Sequence, residues 1–162
     1  MQTVLIADDE DSLRAVIEIT LAGPGLRVLH AADGDRALEL ARQECPDLIV
    51  LDWMMPGKTG IEVAEVLRSE PATVDTAILM LTAMDSEQSR QCARTLGIRE
   101  YLVKPFSPLQ LLACVRRILE AHLANDRPTS GLVNSENLRT QSRKTVAPRL
   151  RCNRLRYCET HF

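Results

Sequence analysis

Two runs of four apolar residues, Val4-Leu5-Ile6-Ala7 and Leu48-Ile49-Val50-Leu51, constrain the fold more than any other feature of the chain. Neither shows the polar alternation of a strand with one wet face. Each reads as a strand buried on both faces, as in the middle of a parallel sheet. Acid ends both runs: Asp8 and Asp9 follow the first, and Asp52 follows the second. Apolar residues at helical spacing come next, Leu13, Val16, Ile17 and Leu21 after the first run and Ile61, Ala64 and Leu67 after the second.

The pattern repeats along the chain. Leu26 to Ala32 reads as a strand whose polar interruptions, Arg27 and His30, suit a sheet edge. A helix carrying Ala37, Leu38 and Ala41 follows it. Ala77 to Leu81 is a fourth strand leading into Thr82 and Ala83, and Arg99 to Val103 is a short fifth one whose polar start suits the other edge. Residues 85–96 predict a helix with almost no apolar face, and so a weak hold on any core. Pro108 to about His122 predicts a helix with Leu111, Val115, Ile118 and Leu119 turned inward. Five strand–helix units in about 120 residues predict a doubly wound α/β fold around a five-stranded parallel sheet.

In such sheets ligands bind beyond the carboxyl ends of the strands. Those ends carry Asp8 and Asp9, Asp52, Thr82 and Lys104. Asp8 to Asp11 are four acids in a row, and two like charges at 4 Å repel by about 4 kcal/mol at an effective dielectric near 20. A helix dipole accounts for Glu10 and Asp11 in a first turn. It does not account for Asp8, which belongs to the strand end. Asp8, Asp9 and Asp52 together suit a hard cation such as Mg2+, which takes oxygen ligands and one or two carboxylates beside phosphate. Lys104 adds a point charge suited to phosphate, and Thr82 adds a hydroxyl. A carboxylate in this setting is a candidate nucleophile toward phosphorus.

The chain has 162 residues. Residues 1–122 hold 12 basic and 19 acidic side chains, a net of −7, whereas residues 123–162 hold 8 basic and 3 acidic, a net of +5. The shift falls at Asn125 to Gly131, which reads as a linker. The expected organisation is a domain at 1–124 and a basic, disordered tail at 125–162. The apolar runs are far too short to span a membrane, and Thr3 to Ala7 is too short for a signal peptide. The chain has five cysteines, and the three in the first 122 residues lack metal-site spacing, which suits reduced thiols and a cytoplasmic location. In the tail, Cys152, Cys158 and His161 match no common zinc spacing, and the basic run from Arg139 to Arg156 has little apolar periodicity. A nucleic-acid partner is not expected, nor is a membrane.

At the strand-end residues the chain resembles the receiver domain of two-component response regulators, a CheY-like, flavodoxin-like (βα)5 fold. "ADDE" at 7–10, "LIVLDWMMPGKTG" at 48–60, "LMLTA" at 79–83 and "YLVKPF" at 101–106 fall in the family's order and spacing, and the resemblance covers about residues 2–122. It implies the strand order 2-1-3-4-5. It implies Asp52 as phospho-acceptor, with Asp8, Asp9, Asp52 and the backbone carbonyl of Met54 as ligands of a Mg2+ cofactor. Lys104 and Thr82 would stabilise the phosphoryl group, and the Lys104–Pro105 bond would be cis. Thr82 and Tyr101 would form a switch that reshapes the face of the fourth helix, fifth strand and fifth helix. The side chains of Met54 and Met84 would set the rate of dephosphorylation. Methionine cannot orient water, so a long-lived phosphorylated state is expected.

The implied partners are a sensor histidine kinase or histidine phosphotransfer protein, and a downstream protein bound through the output face. A homodimer through that face is compatible with the reading. Phe106, Arg90, Arg94, Arg99 and Glu100 lie on or near it, though a solvated charged surface explains the charged residues equally well. The implied activity is self-phosphorylation and slow self-dephosphorylation, with no turnover of other molecules. One alternative is a receiver-like interaction module that takes no phosphate. Another is a magnesium-dependent phosphatase of the haloacid-dehalogenase type, disfavoured because Met54 stands where a second Asp is needed. A flavodoxin-like nucleotide binder is disfavoured because Asp8 to Asp11 would repel its phosphate. Trp53 reads as a partly exposed neighbour of the site, and His30, His122 and His161 as ordinary polar residues.

Overall fold

A computed structural model describes residues 1–83, 91 and 93–125. Five strands form one parallel sheet: β1 (Gln2–Ala7), β2 (Leu26–Ala31), β3 (Leu48–Asp52), β4 (Ala77–Thr82) and β5 (Glu100–Val103). Their order is β2-β1-β3-β4-β5, so β2 and β5 are the edges. Helices α1 (Asp11–Leu21), α2 (Gly34–Glu44), α3 (Gly60–Ser69) and a C-terminal helix (Pro108–Asn125) connect or follow the strands.

The uninterrupted apolar runs are explained by two cores, one on each face of the sheet. Leu5, Ala7, Ile49, Leu51, Ile78 and Met80 point to one side, against Ala37, Leu38 and Ala41 of α2 and Val63, Ala64 and Leu67 of α3. Val4, Ile6, Leu48, Val50, Leu79 and Leu81 point to the other, against Ile17 and Leu21 of α1 and Leu111, Val115, Ile118 and Leu119 of the C-terminal helix. Successive side chains of a strand face opposite ways, so every position from Val4 to Ala7 and from Leu48 to Leu51 meets apolar surroundings. Each fully buried Leu or Ile contributes about 1.5–3 kcal/mol relative to exposure. The edge strands are only half-buried, in keeping with Arg27 and His30 in β2.

Local chemistry sets the ends. Asp33 caps α2 by accepting from the Arg36 amide at 2.7 Å, and Thr59 and Glu62 form a reciprocal capping box at α3. Among the described residues no helix is long and apolar enough to cross a membrane.

Two expectations are corrected. Val16 is 47% exposed, because the buried stripe of α1 runs through Ile17 and Leu21 and leaves Val16 beyond its margin. Cys114 keeps a free thiol, but Cys45 is disulfide-bonded, so reduced thiols throughout is not what the structure contains. Cysteine count and spacing do not reveal which sulfurs the fold brings within bonding reach. Most of the helix expected at 85–96, including Arg90, lies outside the described residues, although Gln91 and Ala93 to Thr95 are helical. Asn125, expected to open the linker and tail, instead ends the C-terminal helix; the rest of the linker, the basic run, Cys152, Cys158, His161 and Met84 lie outside the described residues.

Candidate phosphoryl-accepting site

Strand register assembles the site. Ala7 pairs with Leu51, which places Asp8 beside Asp52 at the next step. Asp52 pairs with Leu81 and Thr82 with Val103, which brings Thr82 and Lys104 to the same rim. The Lys104 amide donates to the Thr82 carbonyl at 2.8 Å, fixing the base of its side chain. That side chain crosses β4, and its Nζ lies 2.6 Å from Asp52 Oδ1 and 2.8 Å from Asp8 Oδ2. The Lys104–Pro105 peptide bond is cis.

Asp8 is fully buried and Asp52 is 5% exposed. Each carboxylate has a further donor. The Glu10 amide reaches Asp8 Oδ1 at 2.9 Å, and the Met54 amide reaches Asp52 Oδ2 at 3.0 Å. Burial raises the Asp52 pKa above its ordinary value; the Asp8 charge adds to this, and Lys104 and the Met54 amide oppose it without cancelling it. Burial also pulls on Lys104, but hydrogen bonds and charges from Asp52 and Asp8 outweigh it and raise its pKa. Two carboxylates face one ammonium here, so one negative charge is in excess.

That excess, with hard oxygen donors at a largely closed rim, suits a small divalent ion that retains most of its waters. Asp8, Asp9, Asp52 and a main-chain oxygen of the adjoining loop are the oxygen donors at this rim. Asp9 is exposed at the end of β1, and among the described residues no three His, Cys, Asp or Glu side chains stand close enough to hold a metal. Thr82 is 6% exposed, and Tyr101 is half-buried against the core shared with α2 and α3. Met54 is 67% exposed beside Asp52. Trp53 is half-buried, with its amide on the Leu81 carbonyl at 2.8 Å. Of the residues expected near the output face, Phe106 packs against the core shared with α1 and the C-terminal helix. Glu100 is engaged by both terminal nitrogens of Arg117, and Arg94 and Arg99 are exposed. His30 lies 3.2 Å from Glu18, away from the site.

Two contributors escape sequence reasoning. Arg14 Nη1 donates to the Asp8 carbonyl at 2.5 Å from the first turns of α1, and nothing in a lone surface arginine signals this. Gly60 does leave a signal, a glycine opening a helix where no turn demands it. A Cβ at Gly60 would sit 2.2 Å from the Asp52 carbonyl oxygen, so α3 reaches this close only with glycine there. Gly60→Ala is therefore expected to lower the melting temperature. The helix gains at most about 1 kcal/mol from alanine, against an overpacking cost of about 1–3 kcal/mol and a displaced Asp52. An unchanged or higher melting temperature would contradict the close-approach argument.

The sequence model of the response regulator receiver domain matches residues 4–116. A probable transcriptional regulator ycf27 of Porphyridium aerugineum is 41% identical over 137 residues, covering 82% of this chain and 56% of that protein. The phosphate regulon transcriptional regulatory protein PhoB of Pseudomonas aeruginosa is 40% identical over 118 residues, covering 73% and 52%. The chain thus spans about half the length of the curated relatives it matches. Among solved structures, the Vibrio cholerae chemotaxis protein CheY4 superposes with a TM-score of 0.69 at 38% identity, covering 73% of this chain and 98% of that one. With the parallel sheet, its strand order and the loaded rim in place, the chain belongs to the response regulator receiver domains of two-component systems.

Proposed function

We propose that Asp52 takes a phosphoryl group from the phosphohistidine of a sensor histidine kinase or a histidine phosphotransfer protein, and that the phosphorylated domain signals through its output face. The observation that carries this reading is the Lys104 ammonium held between two almost fully buried carboxylates at the carboxyl ends of a parallel sheet. A carboxylate oxygen of Asp52 bonds to phosphorus as the phosphorus–nitrogen bond breaks, and the electron pair leaves with the imidazole. Lys104 then stands against the new phosphoryl oxygens, and the Met54 amide keeps its place beside the acceptor. Mg2+, held by Asp8, Asp9, Asp52 and the Met54 carbonyl, would supply charge neutralisation of the phosphoryl oxygens when bound.

In the signalling step Thr82 turns toward the phosphoryl group and Tyr101 moves into the space this leaves. Both lie on strands paired in register, Met80 beside Tyr101 and Thr82 beside Val103, so a shift at one is felt at the other. A ligand moves a two-state balance only through a contact that one state has and the other lacks, and the Thr82–phosphoryl bond is that contact. The reading extends to slow self-hydrolysis as the single reaction of the phosphorylated form. Met54, apolar and open to solvent beside Asp52, holds no water in line for attack. Met54→Asn is expected to speed loss of the phosphoryl group several-fold, measured as decay of the phosphorylated mass. An unchanged decay would remove Met54 from the account.

Incubating the chain with acetyl phosphate and magnesium should add about 80 Da, the mass of one phosphoryl group less a proton. Localisation of the label anywhere other than Asp52 would overturn the assignment.

A further inference from the structure

The loop at 53–59 leaves β3 immediately after Asp52 and returns at the start of α3. Its base is pinned, with the Trp53 amide on Leu81 and the Gly60 amide on the Trp53 carbonyl at 2.9 Å. Its Met54, Pro56 and Gly57 are exposed, so its outer part needs a wall. That wall is the first turn of α2. Gly34 is buried there, and a Cβ on it would lie 2.6 Å from the Lys58 carbonyl oxygen and 2.7 Å from Lys58 Cβ. These are backbone and near-backbone atoms, which cannot swing aside. Gly34 is not among the glycines with positive φ, so closeness of approach explains it better than a turn. Gly57, with φ of 78°, bends the loop toward the same wall. Lys58 Nζ lies 2.5 Å from Asp35 Oδ1. The wall is tied to the site from behind, since the Asp8 amide donates to the Ala31 carbonyl at the end of β2, just before α2.

We infer that the N-terminus of α2 positions the acceptor loop: Gly34 sets how closely the Lys58 backbone approaches, and Asp35 holds the Lys58 side chain, keeping the Met54 peptide group against Asp52. The inference rests on the proposed reading, because the Met54 carbonyl matters there as a cation ligand. The two contacts differ in weight. Lys58 and Asp35 are exposed, and an exposed ion pair changes an equilibrium at most about fivefold. The Gly34 contact is buried. Opening it from 2.6 Å to an ordinary 3.4 Å moves the loop by about 0.8 Å, and displaced supports of a metal site commonly cost 10–100-fold in affinity.

The test is titration of the full chain with magnesium chloride, read by fluorescence of Trp53, the single tryptophan. Gly34→Ala is expected to raise the half-saturating concentration about tenfold or more. Lys58→Met should raise it two- to fivefold, with Lys58→Arg restoring it, and it serves as the second variant if Gly34→Ala does not melt cooperatively. Half-saturation within twofold of the parent in Gly34→Ala overturns the inference while leaving the proposed function standing. So does Lys58→Met with no shift, where Gly34→Ala does not fold. No magnesium response in the parent chain overturns both.

Discussion

Asp52→Asn is expected to end phosphoryl uptake from acetyl phosphate and, at neutral pH, to raise the melting temperature. The first effect follows from the proposed nucleophile, since an amide is not an anion. The second follows from burial. The Asp52 carboxyl has a raised pKa because burial disfavours its charge and Asp8 repels it, with Lys104 only partly compensating. A raised folded-state pKa means that the native state holds the proton more tightly than the unfolded chain does. The resulting stability is full below the ordinary value of 3.8 and is lost as pH rises through the raised one. Above that, the ionised carboxylate weighs against the fold, and asparagine removes the charge at nearly constant shape. The gain should appear as a higher melting temperature for the variant that grows as pH rises toward neutrality. Calorimetry of both proteins from pH 3 to 7 should give curves that converge in acid and separate toward neutrality. A variant that melts below the parent at pH 7 would show that the Lys104 pairing outweighs the burial cost.

Lys104→Ala is expected to be the most damaging single change at the site. It leaves Asp8, fully buried, and Asp52, 5% exposed, without their shared counter-charge. Breaking one partner from a buried ion pair costs about 3–5 kcal/mol, a fall of roughly 10–25 °C here. Asp52 relieves part of the loss by taking up a proton. Its pKa, already raised by burial, rises further without Lys104, so the variant's stability should be greatest in acid and fall as pH climbs, more steeply than the parent's. Combining Lys104→Ala with Asp52→Asn should recover much of the loss, giving a double-mutant cycle far from additive. Additive effects in thermal melts would mean that the ammonium and the carboxylate do not act as a pair.

The apolar runs and their terminating residues were readable because topology alone takes them to their places. A wholly apolar strand must be central, and whatever follows a parallel strand must stand at the carboxyl rim. That reasoning reached Asp8, Asp52, Thr82 and Lys104 without any contact being known. It placed the inward faces of α2 and the C-terminal helix for the same reason. It misplaced Val16, since a periodic stripe has margins that only the neighbouring helix decides. Gly34, Gly60 and Arg14 act through elements distant in sequence, and no local pattern encodes which backbone a missing Cβ lets in.

The bond from Lys104 to Asp8 joins positions 96 residues apart. A growing chain that has emerged through β4 holds both carboxylates but not yet their counter-ion, so closing those four strands would trap unmatched charge. The last strand of this sheet to be synthesised therefore makes the first one tolerable, and a ribosome-bound fragment short of it carries two carboxylates with no cation to meet them.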